Sequence, residues 1–289
     1  MADHPFVFAS DLHGREERYR KLFSFVGEKR PRAVFLGGDL LPSGSLLFGK
    51  SGFSQGDFLE DFFFPRLREL REVLENDYPR FFLILGNDDA RSEEASIRRL
   101  EQEGLGQYIH MRKVTLGEYE IYGYACVPPT PFSLKDWERY DVSRFVDPGA
   151  IAPEEGRYSV EVPDDEKGFP TIQEDLGILG GQDPLARAIF LFHSPPYQTR
   201  LDRAALDGLR VDHAPLDVHV GSVAIRRFIE ERQPLITLHG HVHESAGLTG
   251  SWLDRIGGTF CFSAAHHGPE LAVVGFDPRD PGRATRRLL

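Results

Sequence analysis

Short, wholly apolar runs punctuate the first third of the chain, each followed by glycine or polar residues and then by an amphipathic stretch. Phe6-Val7-Phe8-Ala9, Ala33-Val34-Phe35-Leu36 and Phe81-Phe82-Leu83-Ile84-Leu85 are short and lack alternation, so they predict strands buried on both faces. Between them apolar residues recur at helical spacing. Tyr19, Leu22, Phe23 and Val26 mark a helix from Glu16 to Val26, and Leu59, Phe62, Phe63, Leu67, Leu70 and Leu74 mark one from Phe58 to Glu75. Pro65 should interrupt or kink the second. A third helix is expected over Ser92 to Gln102, with Ser92 as N-cap and Glu94 to Arg98 as a supporting ion pair. Strand, loop and helix in alternation predict an α/β sheet, whose sites lie beyond the carboxyl ends of its strands.

From Lys113 the pattern shortens. Val114-Thr115-Leu116 and Tyr119 to Tyr124 read as strands joined by a turn. Pro128-Pro129-Thr130-Pro131 opens a polar segment to about Gly168 with no clear period, either an insertion over a site or a mobile loop. Residues 41–57, rich in Gly, Ser and Phe, read as a second inserted loop. Thr171 to Leu179 suits a short helix capped by Thr171, and Ala188 to Phe192 a buried strand. Ser222 should cap a helix to about Arg232, which delivers the chain to the strand Leu235-Ile236-Thr237-Leu238. Residues 247–276 look like short antiparallel strands. No repeat is visible, and the 289 residues are read as a single domain with inserted loops at 41–57 and 128–168.

Composition narrows the function classes. With 45 acidic against 34 basic side chains the formal net charge is −11, which disfavours stable attachment to nucleic acid or an anionic membrane. An anionic substrate stays compatible with that balance if bound cations reverse the sign locally. Cys126 and Cys261 are far apart and form no CxxC, so neither a disulfide framework nor a cysteine zinc site is expected, and the pair fits a reducing compartment. There is no secretory pattern and no run of about 18 apolar residues. The expectation is a soluble cytoplasmic protein; its oligomeric state is not legible.

The chemistry sits where the strands end. Asp11 and His13 follow the first, Asp39 the second, Asn87 the third; His193 follows Phe192, and His241 and His243 lie in Leu238-His239-Gly240-His241-Val242-His243-Glu244. Taken singly, each has a plain structural use: a strand-end Asp most often caps a helix, and a buried His is most often simply hydrogen-bonded. Together they are seven oxygen and nitrogen donors, too many for one tetrahedral zinc and enough for two ions that share Asp39. Mixed carboxylate, amide and imidazole donors suit Mn, Fe, Zn, Co or Ni better than Mg or Ca. His239 matches no ligand position and is expected to be structural or supporting, while His4, His110, His213 and His219 are expected on the surface. Phe62-Phe63-Phe64 reads as core. Arg15 is a candidate bidentate clamp for phosphate, with a surface role at a helix start as the alternative. His266, beside His267, is a candidate substrate contact from the last strands, with a solvent-facing pair as the alternative.

Asp11-Leu12-His13, Gly38-Asp39, Gly86-Asn87-Asp88, His193 and Gly240-His241-Val242-His243 resemble, in order, the five motifs of the calcineurin-like metallophosphoesterases. The resemblance spans almost the whole chain. It implies a four-layer αββα sandwich, two mixed β-sheets face to face flanked by helices. It also implies that Asp11, His13 and His243 hold one metal, that Asn87, His193 and His241 hold the other, and that Asp39 bridges them. The activity implied is phosphoester hydrolysis by a hydroxide shared between the two cations, with Asn87 also holding a phosphate oxygen; the acidic surface makes a nucleotide or other small phosphodiester the expected substrate rather than DNA. One position departs from the pattern. Where the family has His after Asn, as a phosphate contact and aid to the leaving group, this chain has Asp88. A carboxyl with a pKa of about 4 is a poor proton donor at pH 7, so the catalytic part of Asp88 is in question while that of Asn87 is not. A non-catalytic scaffold on the same fold is the rival from another class. The intact ligand set argues against it, and Asp88 and the inserts argue mildly for it. A phosphoserine phosphatase ranks third.

Overall fold

In the computed structural model, which describes residues 5–43, 57–163, 166 and 168–289, the apolar runs become strands of two six-stranded sheets. In chain order the strands are β1 (Phe6–Ala9), β2 (Ala33–Gly37), β3 (Arg80–Ile84), β4 (Gln107–Tyr108), β5 (Arg112–Leu116), β6 (Tyr119–Tyr124) and β7 (Ala188–Phe192). A small hairpin of β8 (Arg210–Val211) and β9 (Ala214–Pro215) precedes β10 (Ile236–His239), β11 (Leu253–Ile256), β12 (Thr259–Ser263), β13 (Ala272–Phe276) and β14 (Thr285–Leu288). The helices are α1 (Glu16–Lys29), α2 (Phe64–Leu74), α3 (Glu94–Ile97), α4 (Arg99–Gln102), α5 (Ile172–Gly180), α6 (Val223–Arg232) and α7 (Ser245–Thr249).

One sheet has the order β14-β13-β1-β2-β3-β4 and the other β11-β12-β10-β7-β6-β5. Their central strands are parallel, β1 with β2 with β3, and β6 with β7 with β10. Antiparallel strands flank them: β13 and β14 in the first sheet, β5 and β11 in the second. Rings from the two sheets meet between them, Phe6 with Tyr119 at 6.1 Å and Phe262 with Phe276 at 5.7 Å. Helices supply the outer layers; Phe228 of α6 lies edge-on to Phe190 of β7 at 5.1 Å. Burying each such ring contributes roughly 1.5–3 kcal/mol. This αββα sandwich agrees with the expected architecture, and its consequence is positional. Parallel central strands in both sheets send their carboxyl ends to a common rim, and those of β1, β2, β3, β7 and β10 lead into the candidate ligands.

Several local expectations are corrected. Pro65 does not kink α2 from inside. It lies in the first turn, where its missing N–H costs nothing, and the interruption is a π-helical turn, Leu59–Phe63, just before it. The helix expected over Ser92 to Gln102 is broken into a 3₁₀ turn (Arg91–Glu93), α3 and α4, and Ser92 is not its cap. The free donors there are met from the 128–168 segment instead: Arg91 N donates to Asp136 at 2.7 Å and Ser92 N to Ser159 Oγ at 2.9 Å. The ion pair from Arg98 to Glu94 does form, at 2.7 Å. Thr171 caps α5 in a reciprocal box with Glu174, and Ser222 caps α6. Strand β12 is antiparallel to β11 but parallel to β10, and β14 carries no signal in the sequence reading. Most of the expected 41–57 loop, residues 44–56, lies outside the described residues, as does His4. Among the described residues no helix is long and apolar enough to cross a membrane.

His110 is not a free surface residue. Its ring packs edge-on against Trp137 at 5.0 Å and beside Tyr124, and its Nδ1 accepts from Ala125 N at 3.0 Å. Burial, aided by the charges of Arg139 and Arg91, pushes its pKa from 6.5 down to about 3. Above pH 6.5 the ring is neutral folded or unfolded. Below it the unfolded chain takes up a proton that the folded chain refuses, so stability falls as pH falls from 6.5 towards 3. Between pH 7.5 and 5.5 the wild type should therefore lose about 1.4 kcal/mol more than His110→Gln, which keeps an acceptor and does not titrate. Urea unfolding at the two pH values measures this, and parallel losses in the two proteins would contradict it.

Candidate metal centre

The rim is built on strained backbone. Asp11 (φ 59°), His13 (φ 50°), Asp39 (φ 50°) and His241 (φ 72°) all adopt the left-handed conformation that side chains avoid. Each such residue costs on the order of 1–3 kcal/mol and persists only where its surroundings over-determine it. Here they do. The loop after β1 runs beside the loop after β2, with Asp11 N donating to Gly38 O at 3.0 Å, His13 N to Asp39 O at 2.8 Å and Gly14 N to Leu40 O at 2.8 Å. Within the second sheet Gly240 N donates to His193 O at 2.9 Å, and across the sandwich His241 N donates to Asp11 Oδ1 at 3.0 Å. Gly86 is needed for closeness: a Cβ there would lie 2.4 Å from Asp39 Oδ1 and 2.7 Å from His193 Nε2.

Ligand atoms of Asp11, His13, Asp39 and His243 all come within 4.8 Å of one another. His13 Nε2 is 3.2 Å from His243 Nε2 and 3.9 Å from Asp39 Oδ2, and His243 Nε2 is 3.2 Å from Asp11 Oδ1. On the other side of Asp39, His193 Nε2 lies 3.3 Å from Asp39 Oδ1 and 3.1 Å from Asn87 Oδ1. The His241 ring sits 5.2 Å from the His193 ring. His193 Nδ1 donates to Gly37 O at 2.8 Å, which turns Nε2 towards two oxygen acceptors. Lone pairs facing lone pairs need a positive charge between them, and the donor set fits divalent transition metals.

The electrostatics agree. Burial alone would raise Asp11, but the hydrogen bond and charge of His243 outweigh it and hold the carboxyl at about 2. Asp39, also buried, is held well below the usual carboxylate range, chiefly by His193. Burial would lower His13 and His193, yet both are raised to about 9, His13 by Asp88, Asp39 and Asp11, His193 by Asp39 and Asp11. His241 is pushed down to about 3 by burial and by the neighbouring His193. The carboxylates thus draw positive charge into the rim, as protons on imidazole or as a metal that replaces them.

The seven expected ligands therefore converge on one rim. Asp88 meets them differently from what its position in the motif implies: its N donates to Asp39 Oδ1 at 2.9 Å, and its Oδ2 lies 3.1 Å from His13 Nδ1. Ser43 Oγ donates to its other oxygen at 2.5 Å. Arg15 is exposed at the head of α1, two residues beyond His13. His266 turns to Glu270 at 3.1 Å. His239 is structural, as expected, with Nδ1 on Ser194 O at 2.9 Å and Nε2 on Thr237 Oγ1 at 2.7 Å. His219 is half-buried rather than a plain surface residue, its Nδ1 2.8 Å from the buried Asp202.

Two supporting residues escaped the sequence reading. Asp89 is wholly buried and accepts from Gly86 N, Leu40 N and Leu41 N, locking the third loop to the second. Arg18 is buried and donates to the carbonyls of Asp11 and Gly268, both at 2.6 Å, pinning the His266-His267 loop beside the first ligand. Its place one turn before Leu22, on the apolar face of α1, was the available signal.

A search of curated protein sequences finds no match to the chain. Among solved structures it is similar to TT1561 of Thermus thermophilus, with 16% identity and a TM-score of 0.54, over 98% of this chain and 97% of that one. It is also similar to a structure described as a dimetal phosphatase from Danio rerio, with 11% identity and a TM-score of 0.49, over 99% and 96% of the two chains. At such identity the first likeness speaks for a shared fold alone. The profile of the Calcineurin-like phosphoesterase family matches residues 4–245, well over half of the chain, and the protein belongs to that family.

Proposed function

We propose that the protein is a metal-dependent phosphoester hydrolase that holds two divalent transition-metal ions and acts on a nucleotide or another small phosphodiester. Asp11, His13 and His243 would hold one ion, Asn87, His193 and His241 the other, with Asp39 shared. The observation that best supports this reading is the convergence of ligand atoms from three strand ends, His193 Nε2 with Asp39 Oδ1 at 3.3 Å and with Asn87 Oδ1 at 3.1 Å. When bound, such cations act as Lewis acids towards phosphoryl oxygen and acidify water. The chain's own residues prepare that event. Asp39 keeps its charge in a dry setting, and Gly37 O fixes which nitrogen of His193 is free. The exposed guanidinium of Arg15 is suited to a phosphate oxygen, and the amide of Asn87 to a second one. A net charge of −11 outside the rim favours a small substrate over a long polyanion.

The test is direct. Purified protein stripped with chelator is supplied in turn with Mn, Fe, Zn, Co and Ni, and offered bis-p-nitrophenyl phosphate and p-nitrophenyl phosphate. Nitrophenolate release that requires metal and is faster on the diester is the expected result. Absence of turnover with every metal would overturn the reading.

A further inference from the structure

We infer that Asp88 is a positioning residue, which holds His13 in the tautomer that binds metal and so sets how tightly the adjoining ion is kept. The inference rests on the metal centre proposed above and concerns the one residue that departs from the family motif. An imidazole ligates through a nitrogen that carries no proton, and its other nitrogen then carries one and needs an acceptor. His13 Nε2 faces His243 Nε2 and Asp39 Oδ2, so its proton belongs on Nδ1. The acceptor at Nδ1 is Asp88 Oδ2, at 3.1 Å.

A carboxylate in that place does more than a neutral carbonyl. It fixes the ring's orientation and makes the opposite nitrogen more electron-rich, hence a stronger ligand. His193 has the neutral version of this arrangement, with Gly37 O behind its Nδ1. Asp88 is itself held. Ser43 Oγ donates to Oδ1 at 2.5 Å, and the main-chain N of Asp88 donates to Asp39 Oδ1 at 2.9 Å. Both carboxyl oxygens are therefore occupied as acceptors. The carboxyl is thus turned to His13 and Ser43, a role separate from general-acid catalysis. Where the family motif has an imidazole facing substrate, this chain has exchanged a proton donor for an anion facing a ligand.

The experiment titrates Mn(II) into chelator-stripped wild type and into Asp88→Ala, Asp88→Asn and Ser43→Ala, with binding followed by calorimetry and free Mn by its paramagnetic resonance signal. Wild type is expected to take up two ions. Asp88→Ala should weaken one of them by about 10–100-fold and spare the other. Asp88→Asn, which keeps an oxygen acceptor without charge, should fall between, and Ser43→Ala should shift the same ion by less. Circular dichroism confirms folding, and if Asp88→Ala does not fold, the isosteric Asp88→Asn and Ser43→Ala decide. In turnover, the Asp88→Ala deficit should narrow as Mn is raised, equally for good and poor leaving groups. Wild-type affinity for both ions in Asp88→Asn and Asp88→Ala would overturn the inference alone. So would a deficit that persists at saturating Mn and deepens with leaving-group pKa, since that is the mark of a proton donor. Absence of Mn uptake by wild type would overturn the metal centre together with it.

Discussion

Asp39→Asn should abolish metal-dependent hydrolysis while leaving the fold in place. Its Oδ1 lies 3.3 Å from His193 Nε2 and accepts from Asp88 N at 2.9 Å, while Oδ2 faces His13 Nε2 at 3.9 Å. The carboxylate thus turns one oxygen to each half of the rim. An amide removes the charge and puts an N–H donor where one half needs an acceptor, so one half loses its ligand whichever way the amide turns. Loss of several kcal/mol of charge stabilisation corresponds to a fall in kcat/KM of about 10³-fold or more. The backbone should tolerate the change, because Asn enters the left-handed region more readily than most residues and Asp39 already sits at φ 50°. Steady-state kinetics with bound metal measured by elemental analysis gives the answer: low turnover, fewer than two ions per chain, and a near-native circular dichroism spectrum. Full activity would show that the two halves do not share this carboxylate.

Most of the fold was legible because parallel strands buried on both faces are predominantly apolar: β1, β2 and β7 are uninterrupted, β3 is so after Arg80, and β10 departs only at the buried Thr237 and His239. What escaped was set by distant contacts. The break between Arg91 and Gln102 arises because Asp136 and Ser159, far along the chain, take the donors that a local cap would have used. Strand β14, Thr285-Arg286-Arg287-Leu288, has too few apolar residues to read as a strand and exists because β13 offers it an edge. The direction of β12 is likewise a property of its neighbour β10, not of Thr259 to Ser263.

For the site, the seven ligand candidates could be picked out because each follows a buried strand, and topology alone then brings strand ends together. The partners behind them were beyond reach. His13 and Asp88 are 75 residues apart and meet only because the first and third loops flank the second. Asp89 looked like one more loop acid, yet it is buried against the second loop, and burial with the charge of Asp39 pushes its carboxyl up to about 7. His219 and His110 looked like surface imidazoles because neither Asp202 nor Trp137 is near them in sequence.

Lys135→Met should destabilise the protein by about 3–5 kcal/mol, the usual cost of stranding one member of a buried ion pair. The 128–168 segment was open to two readings, an insertion over the site or a mobile loop, and its stretch around this pair is buried, with Thr130, Leu134, Asp136 and Trp137 beside Lys135 and Glu138. Lys135 and Glu138 are bonded to each other with both side chains 0% exposed. Lys135 Nζ also donates to Thr130 O at 2.8 Å, and Glu138 accepts from Thr130 N at 2.7 Å. Burial lowers the lysine pKa and raises that of the glutamate, the sign of charges far from water that depend on each other. Adding Glu138→Gln to Lys135→Met removes the stranded charge and keeps an oxygen for Thr130, so the pair of changes should recover most of the loss. Urea midpoints for the two proteins give the comparison. A loss below about 1 kcal/mol in the single variant would mean that water reaches the pair. The effect should also reach the rim, because Asp136 receives Arg91 N and Glu166 binds the Arg91 guanidinium at 2.7 and 2.9 Å, two residues beyond Asp89. Loosening the segment releases the loop that carries Asn87 and Asp88, so Lys135→Met should weaken Mn affinity as well as stability, and the double variant should restore both.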